Sequence, residues 1–217
     1  MAGRGDFGEV PEIVNERCFM LRMGRWQPMS EPINPDRTFW GPAHCGVGLS
    51  ASFADLYAKE YDEDVGLIPG AVGGTVIREW MPGEILYDHA VMMARLAGRT
   101  SELAGILWHQ GETDALDLHP AKYKSDLLTM LRALRGDLGE IPIVIGEISE
   151  KIDIRQKFRA LREMNTVIHE VARELTRCGI ASSDGLGLKN DGIHFTSASY
   201  RTLGKRYFEE YKKIKGI

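Results

Sequence analysis

The chain has 217 residues, 43% of them hydrophobic and 27% charged, which suits one folded domain and excludes a disordered, collagen-like or fibrous chain. Its formal net charge of -4 supplies no basic surface to gather phosphates, so nucleic acid and anionic membrane are not expected as partners, and the substrate should be small and not polyanionic. Cys18, Cys45 and Cys178 are widely spaced, odd in number and without C-x-x-C pairing, so they read as reduced thiols rather than a disulfide framework or zinc site. No apolar stretch is long enough to span a membrane and Met1–Phe7 lack an apolar signal core, which points to a cytoplasmic chain.

Pro11, Pro28, Pro32, Pro35 and Pro42 recur too often for a long helix, and residues 1–40 offer no strand candidate. Phe53, Leu56, Tyr57 and Tyr61 then fall at helical spacing, and Val65–Pro69 is a short apolar run of strand type. Leu86–Leu96 is helical, Leu103–Trp108 a strand, Tyr123–Leu134 a helix with Leu127, Leu128 and Leu131 inward, and Ile141–Ile145 a β-branched strand. Phe158–Leu175 is a long amphipathic helix, Gly179–Ser182 a brief strand, and Ser197–Tyr211 the closing helix. Strands alternating with helices pair in parallel through right-handed crossovers, so a single domain over residues 1–217 with a three-layer α/β/α sandwich is expected. Ligands in such folds bind at the carboxyl ends of the strands.

His109-Gln110-Gly111-Glu112 directly follows the apolar run Ile106–Trp108, at such a strand end. Gln110 could donate toward a developing oxyanion and Glu112 could orient an imidazole; the alternative is a polar strand-to-helix loop. His109 and Glu112 lack the further ligands that a metal site needs, and His89 and His119 stand at no spacing that supplies them. Asp191 precedes His194 by three residues, so its carboxylate can reach Nδ1 while Nε2 faces a hydroxyl. Gly74 and Thr75 end a glycine-rich turn after Leu67–Pro69, which either admits a ligand close to the backbone or simply turns the chain; without Lys it is no phosphate loop. Gly46-Val47-Gly48 could offer amide N–H groups before a helix, or form a capping turn. Trp40 and Trp80 are candidates for stacking on a sugar ring, against the usual place of tryptophan in the core.

Taken together these segments resemble the sialate O-acetylesterase-like carbohydrate esterases, family six of that classification, within the SGNH hydrolases, and in particular their plant-type branch. The resemblance is carried in family order by Met1–Gly5, Gly46–Gly48 with Phe53-Ala54, Gly66–Thr75 with Glu79-Trp80, Leu107–Asp114 and Asp191–Thr196. It implies a flavodoxin-like sandwich and a serine esterase that removes acetyl groups from carbohydrates without a cofactor, acting on an acetylated carbohydrate or other small acyl ester. It also implies His194 as base, Glu112 or Asp191 as the acid that orients it, and Gly48 and Gln110 as oxyanion donors, with Gly74, Thr75, His109 and Trp80 among the substrate-binding candidates. Leu49 and Ser50 depart from the Pro and Gly usual in the glycine block.

In that family the nucleophile sits in Gly-Gln-Ser-Asn immediately before Met-Ala-Gly-Arg-Gly, the point at which this chain begins. The nucleophilic serine and the first strand of the sheet are therefore expected just upstream of Met1, where a signal peptide could accompany them. Ser50 and Ser52 lie at a helix start rather than on a strand-to-helix elbow and are not expected to replace it. The alternatives are a non-catalytic carbohydrate-binding relic of the same fold and a lipase-like or thioesterase SGNH enzyme. The last would want an apolar acyl groove, whereas Trp40, Arg78, Glu79 and Trp80 suggest a partly polar one.

Overall fold

The computed structural model describes residues 2–35, 44–116, 119–152 and 161–216. They fall into two compact units, residues 1–73 with 185–209 and residues 74–184 with 210–217.

In the first unit, β1 (Cys18–Arg22) and β2 (Arg25–Pro28) form an antiparallel hairpin with Leu21 opposite Trp26 and Arg22 opposite Arg25. This corrects the reading of residues 1–40 as strandless. Met23 (φ 49) and Gly24 (φ 74) are both left-handed, the two-residue turn whose twist matches a hairpin. A methionine in that role and the flanking prolines hide it in the sequence; Pro28 is tolerated because it closes the strand. β3 (Val65–Leu67) joins β1 in parallel, giving the order β2-β1-β3. Helix α1 (Ser50–Tyr61) turns Ala51, Ala54 and Ala58 onto Cys18, Met20, Met29 and Ile33, and the small side chains let helix and sheet approach closely. Helix α5 (Ser197–Lys215) adds the buried Tyr200, Leu203, Tyr207 and Phe208, the last edge-on to Phe53 at 5.9 Å. A Cβ on Gly204 would strike the Leu49 carbonyl oxygen, so glycine there lets α5 meet the start of α1.

In the second unit, β4 (Ile106–Trp108), β5 (Ile143–Gly146) and β6 (Cys178–Ala181) are parallel neighbours in that order. Helices α2 (Ile85–Ala97), α3 (Pro120–Leu138) and α4 (Leu161–Glu174) occur in the connections. All four residues of β5 are buried, as expected of a central parallel strand, and so are Leu127, Met130 and Leu131 of α3 and Met164, Ile168 and Val171 of α4. The expected start of α4 at Phe158 lies outside the described residues. The buried Arg135 of α3 donates to the carbonyls of Ile141 at 3.2 Å, Thr176 at 2.6 Å and Arg177 at 3.1 Å, fastening the chain leading into β5 and β6.

Cys18, Cys45 and Cys178 carry no disulfide, and burial pushes the Cys18 and Cys178 thiols up to about 11, far from the reactive thiolate. Among the described residues no helix is long and apolar enough to cross a membrane.

Candidate functional site

The first unit carries Asp191 and His194 on a closed loop. Leu188 bridges Phe195, Lys189 N–H donates to the His194 carbonyl at 2.7 Å, and Gly192 N–H donates to the Lys189 carbonyl at 2.9 Å. Inside this loop Asp191 Oδ1 accepts the N–H groups of Ile193 and His194, each at 2.9 Å, and Oδ2 lies 2.9 Å from His194 Nδ1. Burial alone would raise the Asp191 carboxyl, but the backbone N–H and ring of His194 and the Ile193 N–H outweigh it and hold the group below its ordinary value. An ionised carboxylate on Nδ1 fixes the tautomer with the proton there and leaves the Nε2 lone pair as a base. Both side chains remain accessible, His194 at 35% and Asp191 at 41% exposure.

The glycine block of this unit has a backbone explanation. Residues 3–5 run antiparallel to 46–48, with Gly5 N–H to the Val47 carbonyl at 3.0 Å, Val47 N–H to the Gly5 carbonyl at 2.9 Å and Gly46 N–H to the Gly3 carbonyl at 3.1 Å. A Cβ on Gly46 would collide with the Gly5 oxygen, and one on Gly3, at φ 88, would stand 2.9 Å from Gly48 Cα. The Gly48 N–H itself donates to Glu31 Oε1 at 2.8 Å, and Glu31 Oε2 pairs with Arg201 at 2.6 Å. Leu49, the N-cap of α1, offers no side-chain cap, and the Glu31 carboxylate satisfies the amide that precedes it. The N–H expected to face an oxyanion donates here to an internal carboxylate.

In the second unit the strand end after β4 carries His109, Gln110 and Glu112. Gln110 Nε2 donates to the Thr75 carbonyl at 3.0 Å and to Asp114 Oδ2, so both carboxamide hydrogens are committed within the protein. Asp114 also accepts the Ile77 N–H at 2.9 Å, and Tyr123 Oη donates to the Gln110 carbonyl at 2.8 Å. Gln110 therefore braces the 75–77 segment. Burial pushes the Asp114 carboxyl up. Gly111, at φ 137, is required because a Cβ would sit 2.7 Å from Ile148 Cδ1 and 2.9 Å from Tyr123 Oη.

Gly74, at φ 74, turns the chain into Thr75, whose Oγ1 accepts the Trp80 indole N–H at 3.0 Å. Trp80 is only 7% exposed and stands edge-on to Trp108 at 5.3 Å. The Trp80 ring is thus packed into the core of this unit; Trp40 lies outside the described residues. The imidazole beside Glu112 is that of His109, with Nε2 3.5 Å from Oε1. Burial pushes the His109 ring down toward its neutral form, against the pull of Glu112. Among the described residues no three His, Cys, Asp or Glu side chains gather as a metal-ligand set.

Glu31, Arg201, Asp114 and Tyr123 escaped the sequence reading. Only Asp114 left a signal, at four residues from Gln110 within the Leu107–Asp114 motif.

Residues 1–213 match the family described as carbohydrate esterase, sialic acid-specific acetylesterase. A protein of Arabidopsis thaliana named a probable carbohydrate esterase is 30% identical over 194 residues, which is 86% of this chain and 71% of that protein. An X-ray structure of an Arabidopsis thaliana protein is similar at a TM-score of 0.86 and 26% identity, covering 98% of this chain and 93% of that one. The crystal structure of a carbohydrate acetylesterase from Xanthomonas citri gives 0.64 at 17% identity over 94% of this chain and 50% of that one, a likeness of fold. These structures share the α/β architecture with parallel strands seen in both units, in keeping with the expected α/β/α sandwich. With a match over nearly its whole length and a relative at this identity, the chain belongs to the sialic acid-specific acetylesterase family of carbohydrate esterases, which are carboxylic ester hydrolases.

Proposed function

We propose that this carbohydrate esterase hydrolyses O-acetyl esters of sugars by a serine-histidine-acid mechanism, with His194 as general base, Asp191 as the acid that orients it, and the serine in an in-frame Gly-Gln-Ser-Asn preceding Met1. The observation that carries the reading is the 2.9 Å contact from Asp191 Oδ2 to His194 Nδ1, on an ionised carboxylate held by two backbone N–H groups.

In the reaction the serine oxygen attacks the acetyl carbonyl carbon while His194 Nε2 takes the hydroxyl proton. The bond to the sugar oxygen then breaks, and the imidazolium returns that proton to the leaving sugar. Water, deprotonated by the same imidazole, then attacks the acetyl-serine carbonyl carbon; the bond to the serine oxygen breaks, acetate leaves, and the imidazolium returns the proton to the serine. Gly48 and Gln110 already donate to Glu31, Thr75 and Asp114, and the amide of the serine itself would be a further donor to the oxyanion.

The test is acetate release from acetylated xylan and p-nitrophenyl acetate by the full-length gene product. His194→Ala should lower kcat by about three orders of magnitude or more. A variant that keeps most of its activity would overturn the assignment of the base. A full-length product that binds acetylated sugar without turnover would favour the binding relic.

A further inference from the structure

Lys189 belongs to the loop that carries Asp191 and His194, but its side chain leaves that loop. Its Nζ donates to the Arg4 carbonyl at 2.8 Å and to Asp6 Oδ1 at 2.7 Å. The backbone of the same residue closes the loop, through its N–H on the His194 carbonyl at 2.7 Å and its carbonyl under the Gly192 N–H at 2.9 Å. One residue therefore both shapes the loop around the imidazole and moors it to the segment of residues 2–9.

Ser197 strengthens the mooring from the first turn of α5. Its buried hydroxyl lies 2.9 Å from the Asp6 carbonyl oxygen and 2.7 Å from Glu9 Oε2. Gly5 is wedged there, since an added Cβ would stand 2.8 Å from both Ser197 Oγ and Val47 Cβ. Segments 2–9, 46–48 and 187–197, far apart in sequence, thus meet around Arg4–Asp6, all within the first unit.

A base works only when its nitrogen stands within hydrogen-bond reach of the hydroxyl, and a misplacement near 1 Å costs on the order of 10²-fold. Under the reading above, residues 2–9 continue directly from the serine. We propose that Lys189 is a positioning residue for the esterase, mooring the His194 loop to the segment that leads out of the nucleophile and so setting the imidazole-to-hydroxyl distance. This rests on the esterase reading, whereas the mooring itself can be measured without catalysis.

Amide hydrogen exchange of the 217-residue chain should show faster exchange at Gly192 and His194 in Lys189→Met, by about tenfold, with Val144 and Ile145 of β5 unchanged as an internal reference. Lys189→Arg, which keeps a cationic donor, should restore the protection. In the full-length gene product, Lys189→Met should lower kcat for acetate release by 10- to 100-fold, on the order expected for such a misplacement, with KM within about twofold; Lys189→Arg should recover most of it. Unchanged exchange in Lys189→Met would overturn the mooring. A kcat within about twofold of the parent, while His194→Ala abolishes turnover, would overturn the positioning role. A parent that releases no acetate would overturn the esterase reading instead, and the exchange result would then decide the mooring alone.

Discussion

A carboxylate orients a histidine when it meets one ring nitrogen and is itself held still. Asp191 meets both conditions, with one oxygen on two backbone N–H groups and the other on His194 Nδ1. Glu112 stands instead beside the buried ring of His109. In the full-length product Asp191→Asn should therefore lose about four orders of magnitude in kcat, because the amide donates to Nδ1 and stabilises the tautomer with its proton on Nε2. Glu112→Gln should lose less than about tenfold. Acetate release measured on both variants decides the point, and the reverse ranking would transfer the acid to Glu112. The Asp-x-x-His pair was legible because partners three residues apart can share one turn, whatever the rest of the fold does. The packing of Trp80 and Gln110 was not, because it depends on Trp108, Tyr123 and Asp114, which no local pattern records.

At the scale of elements, α1 begins without a side-chain cap of its own, and just before it Glu31 accepts the Gly48 N–H while Arg201 of α5 balances its charge. Glu31 and Arg201 are 6% and 13% exposed, so removing the anion leaves a largely buried guanidinium uncompensated. Glu31→Ala should cost about 3–5 kcal/mol in urea unfolding, the range for breaking a buried pair, whereas a surface pair is worth about 0–1 kcal/mol. A shift below about 1 kcal/mol would mean that the pair is solvent-screened and contributes as a surface pair does. The elements themselves were largely readable: parallel strands appear as short apolar runs such as Ile143–Ile145, and the helices as 3.6-residue patterns between them. The β1-β2 hairpin was not, because its turn uses Met23 where a twisting two-residue turn ordinarily takes Asn, Asp or Gly. The Glu31–Arg201 pair spans 170 residues and leaves no sequence signal.

Across the whole molecule, both units hold carboxylates below their ordinary range, Asp191 in the first and Glu112, Glu147 and Glu170 in the second. Glu147 follows β5, its Oε1 2.6 Å from His169 Nε2 and its Oε2 accepting the Ser182 hydroxyl at 2.7 Å and the Ser183 N–H at 2.9 Å. Burial would raise this carboxyl, and the bonds from His169, Ser182 and Ser183 outweigh it. With a folded pKa below the unfolded value of about 4.3, the folded state binds fewer protons than the unfolded one in the window between them. The contribution is therefore fully present above that window and is lost as pH falls through the folded value. Asp114, raised by burial, acts in the opposite sense, so its contribution is present at low pH and lost as pH rises. Acid should thus weaken the protein through Glu147 and Asp191 while sparing the Asp114 brace. Glu147→Gln should lower the urea midpoint at pH 6, and its deficit against the parent should shrink as the pH is lowered and the parent carboxyl takes up its proton. A deficit that stays constant over that range would show that Glu147 acts through packing or hydrogen bonds indifferent to its charge.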